Sequence, residues 1–178
     1  LIDHPQMLDL ARRILGDDIR FDHCVALNRP GGNDGSRWHS HAYSEQDAAL
    51  GFLRIFFYVN GFEMGDGNLK VVPGSHLYRD PVIQAASDQE LRDGWMRDRT
   101  HPRTGDALQI KELEAPQGSV ALMWTHAAHG VSARLPGSGT RWTVVYAYRN
   151  PGAESAARWI TPEFQASVDV EESLMTLY

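Results

Sequence analysis

The chain has 178 residues, 42% of them hydrophobic and 22% charged, which suits one domain with a sizeable core. Acidic side chains outnumber basic ones, 23 to 17, for a net charge of −6. That balance argues against nucleic-acid and anionic-membrane partners, which need a basic face.

Cys24 is the only cysteine, so an intrachain disulfide and a cysteine-built zinc ribbon are excluded. A lone thiol fits a reducing compartment, and the cytoplasm is expected. No apolar run approaches the roughly 20 residues needed to span a bilayer. The sequence begins with Leu1 rather than Met, so part of the N-terminus is expected to lie outside it.

"DHPQMLDLARRILG" predicts the first helix, with Asp3 as cap, Pro5 in the first turn, and Met7, Leu8, Ala11, Ile14 and Leu15 as one apolar stripe. Strand patterns follow. Residues 19–27 alternate around Ile19, Phe21, Val25 and Leu27, then break at Arg29-Pro30-Gly31-Gly32. "RWHSHAY" resumes order after that turn. "GFLRIFFYVN", at 51–60, predicts a strand buried on both faces. "LKVVPGSH" gives a short strand, and 107–113, 119–124 and 141–148 give three more. Short strands without βαβ alternation predict an all-β core, an antiparallel sandwich or barrel with flanking helices. Nothing splits the chain, so 1–178 is expected to be one domain. The polar excursion at 82–105, helical near Ser87–Arg97, reads as a flap over one mouth; a surface helix covering a sheet edge is the alternative.

Histidine carries the chemistry. His4 and His23 read as structural, His76 as a turn residue, and His101 falls in the flap. His39 and His41 are two residues apart, so in a strand they project from one face, as a metal site needs. His126 and His129 follow the strand "SVALMW". A His-x-His pair joined by a distant histidine leaves coordination positions open for substrate and oxygen, as in non-heme iron oxygenases. Arg141 heads the otherwise apolar strand "RWTVVYAY", where a guanidinium needs an anionic partner. A dicarboxylate co-substrate or a nearby Asp or Glu would supply it.

Together these segments resemble the phytanoyl-CoA dioxygenase family of Fe(II)- and 2-oxoglutarate-dependent oxygenases. "RWHSHAY" stands where that family has Trp-His-x-Asp, and "GDGNLKVVPGSH" is similar to its turn ending in Pro-Gly-Ser-His. "VALMWTHAAHGVSA" resembles the strand leading to the distal ligand, and "RWTVVYAYRNPG" the strand headed by the oxoglutarate-binding arginine. The blocks occur in family order across residues 19–152.

The resemblance implies a double-stranded β-helix, a cupin-like jelly roll. It implies Fe(II) and 2-oxoglutarate as cofactor and co-substrate, and O2 with a small organic molecule as reactants. His39 becomes the first iron ligand, His129 the distal one, Arg141 the partner of the oxoglutarate C5 carboxylate, and Ser132 a hydroxyl partner of that group. The interval from His129 to Arg141 fits the family better than one counted from His126.

His41 departs from the pattern, standing where the family has a carboxylate. Three readings stay open: a three-His site of His39, His41 and His129; a carboxylate from Glu45 or Asp47 swinging in; or loss of metal catalysis, leaving a jelly-roll binding module. Halogenation is not expected, since an imidazole fills the position a halide would use. A three-His dioxygenase working without 2-oxoglutarate would keep the histidines without needing Arg141. Trp38, Tyr43, Trp95 and the arginines Arg92, Arg97, Arg99 and Arg103 would give an aromatic pocket with a basic rim, unless the arginines are solvated flap charges. The substrate itself is not written in the sequence.

Overall fold

A computed structural model describes residues 4–41, 51–80 and 83–150. The predicted Asp3 cap, Tyr43, Glu45 and Asp47 lie outside those residues. Two antiparallel sheets face each other. One has the order β1 (Arg20–Arg29), β9 (Arg141–Arg149), β3 (Phe52–Tyr58), β7 (Val120–Trp124). The other has the order β5 (Gln84–Ala85), β2 (Ser36–His39), β8 (His129–Val131), β4 (Leu69–Val71), β6 (Lys111–Glu112). Strands that neighbour one another out of chain order, in two facing antiparallel sheets, are the mark of a jelly roll.

Three apolar layers follow from the sequence pattern. α1 (Pro5–Leu15) lays Leu8, Ala11 and Leu15 on Phe21, Leu53 and Tyr148, the outer face of the first sheet. Its first turn is opened by Pro5, as expected, with His4 as an N-cap that makes no side-chain bond. Between the sheets, Phe56, Tyr58, Met123 and Val145 meet Leu69 and Ala127. On the far side Trp38, Val72 and Ile83 pack under Leu91 and Met96 of the 82–105 segment. β3 is thus buried on both faces, because α1 covers one and the second sheet covers the other.

Two local details differ from the sequence reading. The helix expected near Ser87–Arg97 is one short element, α2 (Asp88–Asp93), closed by Gly94 and capped by Ser87, whose hydroxyl accepts from the Glu90 amide at 3.1 Å. Of the strand expected at 107–113, Lys111–Glu112 forms a short strand and Ala107 makes an isolated bridge with Thr100. "PGSH" turns through Gly74 at φ 84° into a 3-10 helix, Ser75–Tyr78.

Candidate metal centre

β2 and β8 run antiparallel with His39 directly opposite His129, so the last residue of one strand and the first of the other form a cross-strand pair. Gly35 makes the approach possible. At φ 81° its α-carbon faces the carbonyls of Val131 and Ser132, where a β-carbon has no room. His41 lies two residues beyond β2, held by its amide, which donates to the Thr125 carbonyl at 3.0 Å. The three rings converge. Their centroids are 4.2 Å apart for His39 and His129, 5.0 Å for His39 and His41, and 5.1 Å for His41 and His129. One nitrogen from each falls within 4.8 Å of the others, a spacing that admits a metal ion.

Backbone carbonyls set the tautomers of two rings. His39 Nδ1 donates to the Arg37 carbonyl at 2.9 Å, and His129 Nδ1 to the Ala127 carbonyl at 2.8 Å. Each Nε2 therefore keeps its lone pair, the arrangement found when an outer hydrogen bond orients a metal-binding imidazole. Burial, then the neighbouring His39, pushes His129 down to about 3. Burial, then Arg54, His129 and His39, pushes His41 down to about 2. Burial also lowers His39. The rings are neutral at physiological pH, so their lone pairs are available to a cation.

A cavity of about 100 Å³ opens beside the histidines, between the sheets. His39 and His129 line it together with Arg29, Arg54, Arg141 and the hydroxyl-bearing Ser36, Tyr58 and Thr143. None of the described residues that line it is acidic. Arg141, 2% exposed, gives one N–H each to the Gly67 and Asp66 carbonyls and lies 4.6 Å over the Phe62 ring. Its Nε is buried without an acceptor among the described residues. Burial, and then Arg134, pushes Arg141 down to about 10, which leaves it charged at neutral pH. Directly across the β1–β9 pairing stands Arg29, a like charge. Burial raises the Tyr58 phenol well above its ordinary range, so it is a neutral donor. Three guanidinium groups give the described lining of this cavity a positive charge.

No family model matches the sequence, and no curated protein matches it. Solved structures match its shape. EvdMO1 aligns with a TM-score of 0.62 at 20% identity, over 84% of this chain and 32% of that one. The nickel complex of ThoJ, a non-heme monooxygenase, aligns at 0.59 and 18% identity, over 88% of this chain and 54% of ThoJ. HygX from Streptomyces hygroscopicus with nickel and 2-oxoglutarate bound aligns at 0.62 and 15% identity, over 92% of this chain and 70% of HygX. The chain has the fold of non-heme oxygenases. Likeness at these identities carries the fold alone, and the chain spans about a third of EvdMO1 and about half of ThoJ.

Within that oxygenase fold the structure gathers His39, His41, His129 and Arg141 around one site. His126 stands apart, its ring against Trp124 and His76. Ser132 is not among the residues that line the cavity; its amide donates to the Asn68 carbonyl at 3.0 Å, and Ser36, Tyr58 and Thr143 bring the hydroxyl groups. Trp38 is a buried packing residue whose Nε1 donates to Asp88 at 2.8 Å. Arg99 lies 4.9 Å over the Trp95 ring.

Sequence reasoning missed Arg54, Arg29 and Tyr58 as site residues, and it set His23 aside as structural. Arg54 Nη1 donates to His41 Nε2 at 2.9 Å, and its Nη2 donates to His23 Nε2 at 3.2 Å. The signal was present. Arg54 is the one charge in "FLRIFFY", the same anomaly that singled out Arg141.

Proposed function

We propose that this chain is an Fe(II)- and 2-oxoglutarate-dependent oxygenase of the phytanoyl-CoA dioxygenase type that hydroxylates a small organic molecule. One observation carries the reading: a three-imidazole cluster stands at the edge of a cavity whose described lining holds three arginines and no acid. The solved structures named above support it, since one binds nickel and another nickel together with 2-oxoglutarate in the same fold.

In this reading His39, His41 and His129 hold the metal, which with 2-oxoglutarate supplies the activation of O2 for attack on a C–H bond. The fit rests on this chain's own atoms: two lone pairs aimed by backbone carbonyls, and a buried arginine Nε without an acceptor. Arg141 has five N–H donors, of which two are spent on carbonyls, so a carboxylate can still take a bidentate pair. Tyr58 and Thr143 add hydroxyl donors, the role that the resemblance gave to Ser132. The buried walls from both sheets keep bulk water away, which strengthens each of these interactions. The 82–105 segment is the flap of this reading: its Gln84 and Glu90 line a groove of about 320 Å³ that reaches His39. Cytoplasmic location fits the lone Cys24, and no helix among the described residues is long and apolar enough to cross a membrane.

The test is substrate-free turnover of 2-oxoglutarate. Succinate formed only with Fe(II) and O2 together, and lost in Arg141→Ala, supports the assignment. O2 consumption that ignores 2-oxoglutarate would replace it with a dioxygenase that needs only the three histidines. Folded protein that binds no divalent metal would leave a binding module.

A further inference from the structure

Two arginines stand directly opposite each other on adjacent strands. Arg29 closes β1 and Arg141 opens β9; they are partners in the ladder, and both line the small cavity between the sheets. Like charges placed directly across a ladder weaken it. Packing alone does not account for such a pair on an inner face.

The two are held differently. Arg141 is fixed by the Gly67 and Asp66 carbonyls and by the Phe62 ring, 4.6 Å away. Gly67 leaves room for it, since a β-carbon there would come within 3.1 Å of Arg141 Nη2. Arg29 has a looser hold. Among the described residues its side chain donates from Nη1 to Asn33 Oδ1 at 3.4 Å, longer than an ordinary N–H···O bond, and that oxygen already accepts from the Gly35 amide at 3.0 Å. The Asp66 carboxylate turns to Arg134 Nη2 at 3.5 Å and the Leu135 amide at 2.8 Å, and is not among the residues that line the cavity. The five-donor fork of Arg29 can therefore serve a molecule that enters.

Register decides which end of that molecule meets the pair. Arg54, which touches His41 at 2.9 Å, is partnered with Ala147, six residues along β9 from Arg141 (147 − 141). The Arg29–Arg141 row thus lies at the other end of the first sheet's inner face from that histidine contact. A short acid that reaches the metal with one end brings its far end to the two guanidinium groups.

We propose that Arg29 is a second anchor for the distal carboxylate of the co-substrate, closing on it from β1 while Arg141 holds it from β9, and that the pair selects 2-oxoacids with a carboxylate at the far end. This role rests on the function proposed above. Each guanidinium is a planar fork suited to carboxylate oxygens, and the anion turns a repulsive cross-strand pair into a bridged one.

The experiment is calorimetric titration of nickel-loaded protein with 2-oxoglutarate and with 2-oxovalerate, which keeps the 2-oxoacid end and has a methyl group in place of the distal carboxylate. Wild type, Arg29→Gln and Arg29→Lys are compared, and scanning fluorimetry reads any loss of stability separately. Arg29→Gln is expected to weaken 2-oxoglutarate by about tenfold or more and to leave 2-oxovalerate within about threefold. Arg29→Lys keeps the charge without the fork and is expected to fall between Gln and the wild type.

Arg29→Gln that binds 2-oxoglutarate as tightly as the wild type, or that weakens both ligands alike, would overturn the second anchor. Should Arg29→Gln not fold, Arg29→Lys decides: it is expected to lose about threefold or more for 2-oxoglutarate alone, and wild-type affinity would refute the proposal. Glutarate separates this role from the reading beneath it. If the nickel-loaded wild type binds no 2-oxoglutarate, yet glutarate raises the Tm of the metal-free wild type and not of Arg29→Gln, the two-arginine seat stands and the 2-oxoglutarate reading falls. If neither acid has an effect on the wild type, both fall.

Discussion

Replacing Arg141 with Gln separates the two tasks its guanidinium performs. The side chain now gives one N–H each to the Gly67 and Asp66 carbonyls, covers Phe62 at 4.6 Å, and presents a buried Nε–H with no acceptor among the described residues. Gln reaches one of those carbonyls at most. The fold then loses a charge-assisted hydrogen bond and the ring contact, on the order of 2–4 kcal/mol. For a chain of this size that lowers Tm by roughly 5–10 °C. The bound co-substrate loses a bidentate carboxylate pair worth about 3–4 kcal/mol, or roughly 10²- to 10³-fold in affinity. The assay is calorimetric binding of 2-oxoglutarate to nickel-loaded protein, well below the Tm found by differential scanning fluorimetry. A variant with the lowered Tm whose 2-oxoglutarate affinity stays within about threefold of wild type would refute the reasoning, because Arg141 would then serve the 66–67 turn alone.

Three further outcomes follow from the same structure. Burial, then Arg79 and His76, pushes His126 down to about 4, and His41 and His129 lie lower still. Their folded-state values fall below the unfolded one, so the stability they contribute is complete above about pH 6.5 and drains as pH falls. Metal-free protein should lose roughly 2–6 kcal/mol between pH 7 and pH 5 in urea melts, about 2 per histidine at most; a flat profile there would contradict neutral burial. Gly35→Ala puts a β-carbon against the Val131 and Ser132 carbonyls at φ 81°. It should cost about 3 kcal/mol or more and weaken nickel binding with it, since the same crossing pairs His39 with His129; unchanged stability would show that the strands do not need the close approach. Asp88→Asn leaves Trp38 Nε1 with an acceptor but removes the anion facing Lys70, and should lower stability by about 1–2 kcal/mol in denaturant melts without altering metal affinity.

The sandwich and the three-histidine cluster were legible because each rests on local pattern. Two-residue alternation places His39 and Trp38 on opposite faces, the first in the cavity and the second in the outer layer. Gly35 and the "PGG" turn before it mark where two strands cross. Arg141 is legible as a charge that opens an apolar strand. Arg54 carried the same mark, but its partners are 13 and 31 residues away, so no local pattern names them.

The Asp22–His23 pair was hidden for another reason. Alternation puts consecutive strand residues on opposite faces, yet the register shifts between Phe21 and His23, and Phe21, Asp22 and His23 are all buried. A bulge of that kind depends on pairing with β9, more than a hundred residues later, and composition does not encode it. The weak pairing at 107–113 has the opposite cause: "ALQIKEL" alternates like a strand, but its pairing is split between β4, which takes Lys111 and Glu112, and Thr100, which bridges Ala107.

The most direct measurement is an anaerobic titration of the purified chain with Fe(II), with and without 2-oxoglutarate, followed in the visible region. A weak metal-to-ligand charge-transfer band that requires both components and vanishes in His129→Ala is the predicted result. Folded protein that shows no band and binds no iron would contradict the account, because three neutral imidazoles beside an arginine-lined cavity would then serve some purpose other than holding a metal and its anionic co-substrate.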